Sequence, residues 1–136
     1  MSLIDLEQLS NFPNICAFDG FLDEFNKNIL GKSLAERKRY TAWLQRCLFT
    51  LSDYKEAAVQ FPHFEKLKGS KNGIYSIRYP HSTKNPRILY FFICAGRPVL
   101  LGAFLEKSSA DYNKNLAVAE KRASFLSKNV PVDTGD

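Results

Sequence analysis

From Phe21 onward the apolar positions recur with a helical period. Phe21, Leu22, Phe25 and Ile29 share one face, Asp23, Glu24 and Lys27 lie off it, and Gly31 is a natural stop. Ser33-Leu-Ala-Glu36 then has the form of a capping box. The Ser33 hydroxyl takes the Glu36 amide, and the Glu36 carboxylate reaches back to the cap amide. The helix that it opens carries Tyr40, Trp43, Leu44, Cys47, Leu48 and Leu51 as one stripe, with Arg37, Lys38, Arg39 and Gln45 largely on other faces. The short Gly31-Lys32 link predicts an antiparallel helical hairpin. Tyr54, Ala57, Ala58 and Phe61 keep helical spacing for one more turn, which Pro62 ends.

Beyond Phe64 the period changes to two. Phe64 to Gly69 leads into a polar, glycine-rich turn. In Ile74 to Tyr79, Tyr75, Ile77 and Tyr79 share one face, and Ile74, Ser76 and Arg78 share the other. Arg87 to Cys94 is almost continuously apolar, as in a central strand covered on both faces. The tight Ala95-Gly96-Arg97-Pro98 link predicts that Val99 to Leu105 pairs back antiparallel. Ser108 or Ser109 then caps a last helix with the stripe Tyr112, Leu116, Ala119, Ala123 and Leu126. At the other end, Ile4, Leu6 and Leu9 read as a short helical turn and Ile15 to Phe18 as a short strand before Asp19-Gly20.

The expected fold is therefore α+β: an N-terminal helical hairpin packed on a small antiparallel sheet of three to four strands, with a C-terminal helix. One domain spans 1–128, with 1–20 an N-terminal extension of ill-defined form and 129–136 a frayed tail.

Composition sharpens this in three places. At 136 residues and 45% hydrophobic, the chain can bury a core without covalent staples. Cys16, Cys47 and Cys94 all sit in apolar runs, without metal spacing, and read as buried free thiols in a reducing compartment. The N-terminus lacks the pattern of a signal peptide and Ile88 to Ala95 is too short to span a bilayer, so a soluble cytoplasmic protein is expected, with no membrane contact. No Gly-rich phosphate loop or metal-ligand set is present, and no cofactor or metal is expected.

Charge changes the picture more. The net charge is +5, but residues 1–36 carry −4 and residues 61–110 carry +6. The positive excess falls on the sheet segment, with Arg78, Arg87 and Lys107 at or near strand positions and Lys66, Lys68, Lys71 and Lys84 around them. Such a surface attracts polyanions, and these four lysines are candidate RNA or phosphate contacts. The alternative is an ordinary solvated basic surface.

Several runs together resemble a known family: the helical hairpin, Leu67-Lys-Gly69 ahead of Gly73-Ile-Tyr-Ser-Ile-Arg78, Pro86-Arg87-Ile-Leu-Tyr90, Leu100-Leu-Gly-Ala-Phe104, and Lys107-Ser-Ser before the helix through Ala117 to Arg122. From Phe21 to Leu126 the chain resembles the RelE/ParE superfamily of toxins in type II toxin–antitoxin systems, most closely its phage-derived HigB-like branch. The resemblance implies a fold similar to small microbial RNases and an endonuclease that cuts messenger RNA on the ribosome. It also implies a helix-turn-helix antitoxin as partner, with DNA touched only through that antitoxin.

Carried over by position, the resemblance makes Arg78, Arg87 and Lys107 catalytic candidates, with Tyr112 a candidate a few residues past the motif. The pattern has a lysine where this chain has Glu106, and no His or Tyr follows Tyr112. Two arginines suit the charge that develops on a phosphorane, whereas Lys107 or Tyr112 would assist proton transfer. The alternatives are structural: Arg78 pairing a carboxylate of the helix layer, Arg87 in a salt bridge, and Lys107 as a solvated strand end. The same fold also admits a gyrase inhibitor that never cuts RNA, or a catalytically degenerate binding module.

Overall fold

A computed structural model describes residues 6–9, 11–80, 82–93 and 96–129. Two strands come first, β1 (Leu6–Leu9) and β2 (Phe12–Phe18). A short helix α1 (Phe21–Phe25) runs on into a π-helical turn (Asn26–Leu30). The long helix α2 (Leu34–Tyr54) and a 3-10 segment (Lys55–Gln60) come next. The chain ends in β3 (Phe64–Lys66), β4 (Tyr75–Arg78), β5 (Pro86–Ile93), β6 (Arg97–Leu105) and α3 (Ser109–Asn129).

Among the described residues the strands form one sheet in the spatial order β1-β2-β6-β5-β4-β3. It is larger than the expected three to four strands, and it is mixed. β2 runs parallel to β6 through Cys16 opposite Val99 and Ala17 opposite Leu100, and the other pairs are antiparallel. Leu6 and Leu9, expected in a helical turn, are strand residues because they pair with Phe18 and Phe12. Cross-strand pairing overrides a weak local pattern here. Pro13 is tolerated because it falls in a bulge: Gln8 pairs Cys16 while Leu9 pairs Phe12. Ile4, Cys94 and residues 130–136 lie outside the described residues.

The first helix of the expected hairpin is barely more than a turn of α-helix plus the π-helical turn, closed by Gly31 at φ 81°. The Ser33 hydroxyl accepts the Glu36 amide at 3.1 Å, as the capping box requires. The reciprocal half is replaced, since the Glu36 carboxylate pairs with Lys84 across the fold.

Side-chain alternation gives the sheet two apolar faces. On one, Phe21, Phe25, Tyr40, Trp43 and Leu51 pack against Ile77, Ile88, Tyr90 and Leu100. On the other, Ala119, Ala123 and Leu126 of α3 pack against Ile74, Leu89, Phe91 and Leu101. The helices thus divide between the faces, α1 and α2 on one and α3 on the other. Each fully buried Leu, Ile or Phe in these layers contributes about 1.5–3 kcal/mol.

Two irregularities set the surroundings of β6. β5 and β6 carry a bulge, with Leu89 opposite Gly102 but Tyr90 opposite Leu100, so Leu101 is the extra residue. And β2 stops pairing with β6 after Leu100, leaving the rest of that edge to the helices. Glu24 accepts the Ala103 amide at 3.0 Å, Asn28 donates to the Ala103 carbonyl at 2.9 Å, and Arg122 donates to the Leu101 carbonyl at 2.8 Å.

Candidate functional site

Antiparallel pairing of β4 with β5 sets Arg78 directly opposite Arg87. Two like charges at such a pair repel unless compensated. The compensation comes from β3. Its Glu65 is opposite Ser76, and the Glu65 Oε1 lies 3.5 Å from both the Arg78 Nε and an Arg87 terminal nitrogen. Arg87 is only 6% exposed and is held on several sides. One terminal nitrogen donates to the Ser76 hydroxyl at 2.9 Å, and the other to the Glu106 carboxylate at 2.8 Å. Its guanidinium carbon sits 4.8 Å from the centre of the Tyr112 ring, supplied by the first turns of α3. The Arg87 Nε has no hydrogen-bond partner among the described residues.

The structure therefore brings together Arg78, Arg87 and Tyr112, and it adds Glu65, Ser76 and Glu106. The bulge at Leu101 decides this membership. It shifts the register by one, which puts Phe104 opposite Arg87. Residues two apart share a face, so Glu106 continues on the Arg87 side. Without the extra residue Ala103 would face Arg87, and Lys107 would continue that face instead. Lys107 lies apart from the arginines, in a polar cavity of about 400 Å³ shared with Lys27, Asn28, Asp111 and Lys114.

The four other lysines are not gathered into one patch. Lys66 is exposed on β3, its Nζ 5.8 Å from the centre of the Tyr75 ring. Lys68 is exposed in the loop after β3. Lys71 is also exposed, and its amide donates to Glu120 at 2.9 Å. Lys84 pairs with Glu36, donates to the Ile29 carbonyl at 3.1 Å and so clips the β4–β5 link to the start of α2.

Glu65 escaped sequence reasoning because β3 has three residues, too few to display a period. Its one signal is the apolar, acidic, basic alternation of Phe64-Glu-Lys66 ahead of a glycine turn. Chemically the cluster offers two carboxylates, Glu65 half-exposed and Glu106 mostly buried, with two guanidinium groups, a phenol and a hydroxyl. Among the described residues no group of three or more His, Cys, Asp or Glu side chains converges to hold a metal. No described helix is long and apolar enough to cross a membrane.

A family model described as phage derived protein Gp49-like (DUF891) matches residues 33–124. That span runs from the α2 cap to about three quarters of the way along α3 and contains the whole arginine cluster. No curated protein and no solved structure matches the chain.

Proposed function

Since the chain belongs to the phage derived, Gp49-like protein family, a RelE/toxin-like family of toxin–antitoxin systems, we propose that it is the toxin of a type II toxin–antitoxin system, of the HigB-like branch, and cleaves messenger RNA on the ribosome. The observation that carries this reading is the carboxylate of Glu65 set 3.5 Å from two arginines that face each other across β4 and β5. RNA cleavage of this type needs no metal. Glu65 takes the proton of a ribose 2′-hydroxyl, and that oxygen attacks the adjacent phosphorus. The bond to the 5′ oxygen breaks, leaving a 2′,3′-cyclic phosphate and a 5′-hydroxyl. Arg78 and Arg87 stabilise the charge that builds on the phosphorane oxygens, where planar guanidinium groups match two oxygens at once. Tyr112, stacked on Arg87, is the nearest candidate to protonate the leaving oxygen, and the ribosome supplies much of the orientation. Lys66, Lys68, Lys71 and Lys107 steer the RNA from the periphery.

In the cytoplasm a small helix-turn-helix antitoxin restrains this activity and makes the only DNA contact. The test is expression without antitoxin. Growth arrest with loss of translated mRNA is expected, and Arg78→Ala with Arg87→Ala should relieve it. Normal growth with intact mRNA would sink the reading. One observation favours a second reading, a binding module without catalysis: Glu106 and Glu65 already offset the charge of Arg87. That reading predicts tight antitoxin binding with no toxicity.

A further inference from the structure

Behind the arginine pair, between α2 and the β3–β4 edge, lies a cavity of about 220 Å³. Its floor is carbon, from Trp43, Phe64 and Ile77. Trp43 is stacked on Tyr79, centroids 5.3 Å apart and planes inclined by 15°, which makes one rigid aromatic wall. Arg39 covers Tyr79 at 5.4 Å and draws its phenol below the ordinary value. Burial pushes the Cys47 thiol up to about 12, so Cys47 joins the wall as a neutral group. Arg46 of α2 brings a cation to the rim, β4 lines it through Arg78, whose guanidinium pairs with Glu65 on the other face of the sheet, and no lining residue is acidic. His63 enters the rim from a left-handed turn at φ 73°, and its carbonyl accepts the Arg78 amide at 3.1 Å.

We propose that this cavity is a base-binding subsite, which takes the heterocycle of a single RNA nucleotide against the Trp43–Tyr79 wall and its phosphate at Arg46. The proposal rests on the RNA-cleaving reading and extends it. Drug-sized ligands fill about 300–1,000 Å³, so this space suits one planar ring and little more. Base rings bind aromatic walls without needing a sequence-specific hydrogen-bond pattern, and guanidinium groups match phosphate oxygens. Arg78 links the two places through its strand: the residue lines the cavity, while its guanidinium shares Glu65 with Arg87 on the opposite face of the sheet.

Trp43 is the only tryptophan, so its fluorescence reports on this cavity alone. The full chain is titrated with the four nucleoside 5′-monophosphates, and with ribose 5-phosphate as the base-free control. Saturable quenching is expected from at least one nucleotide and none from the control. Arg46→Ala should raise the Kd about tenfold, as for loss of a charged hydrogen bond. Thr50→Met, which fills the cavity from α2, should abolish quenching while the thermal midpoint shows the variant folded. Silence with all four nucleotides, equal quenching by ribose 5-phosphate, or unaltered binding by folded Thr50→Met would each overturn the subsite. Quenching in a protein that leaves RNA intact on ribosomes upholds the subsite and overturns the cleavage reading. Cleavage with a silent Trp43 does the reverse.

Discussion

The Glu106 carboxylate lies 2.8 Å from the Arg87 guanidinium, because the bulge at Leu101 turns Glu106 rather than Lys107 toward that arginine. The pair is mostly buried, at 24% and 8% side-chain exposure. Removing one member of such a pair strands the other. Glu106→Lys supplies the lysine of the family pattern but sets a second cation against Arg87. It should destabilise the fold by about 2–4 kcal/mol, and Glu106→Gln by less, since Glu65 still faces Arg87. Urea midpoints at constant m-value measure both. An unshifted midpoint for Glu106→Lys would show that the pair is not formed in solution.

Glu65 separates chemistry from stability. Its side chain is 46% exposed, and that of Arg78 is 39% exposed. An ion pair this wet contributes about 0–1 kcal/mol, so Glu65→Gln should leave the urea midpoint nearly unchanged. As the base of the proposed cleavage, the same substitution should slow RNA cutting on ribosomes about 10²–10⁴-fold. Retained cleavage in a folded Glu65→Gln protein would remove Glu65 from the mechanism.

What could be read from the sequence depended on element length and on register. α2 was legible because its stripe from Tyr40 to Leu51 repeats over several turns, and all six residues are buried. β5 was legible because it is covered on both faces, and so is apolar from Ile88 to Ile93. β1 and β3 were not, since three or four residues cannot establish a period and pairing alone makes them strands. The candidate site failed in a different way. Arg78 and Arg87 come together by simple antiparallel pairing, whereas Lys107 and Glu106 exchange sides through one bulged residue within the apolar run Val99-Leu-Leu101. Hydrophobicity is the same on both sides of that slip, so the sequence carries no mark of it.

The free edge of β6 predicts a stability effect far from the site. Glu24 accepts the Ala103 amide at 3.0 Å and pairs with Arg122 at 3.2 Å. Glu24→Ala leaves both donors without that acceptor and should cost about 1–3 kcal/mol. Amide exchange tests it locally: the Ala103 amide should exchange faster in the variant, while the β4–β5 amides change only by the global loss. Unchanged Ala103 protection would mean that the carboxylate does not serve the strand edge.

Glu120 predicts a dependence on pH. Burial raises its carboxyl pKa, but hydrogen bonds from the Lys71 and Asn72 amides, the Ser70 hydroxyl and the Asn72 side chain outweigh burial and hold it below the ordinary 4.5. These bonds fasten the β3–β4 turn to α3. A carboxyl whose folded pKa lies below its unfolded value stabilises the fold above the unfolded value, and that contribution fades as pH falls through the folded one. Glu120→Gln keeps an acceptor but loses the charge. The variant should be less stable than the parent by about 1 kcal/mol at neutral pH, a modest figure because solvent screens the site. The gap should close as pH drops below 4.5. Paired urea titrations across that range measure it, and a gap that is independent of pH would rule out the charge as its source.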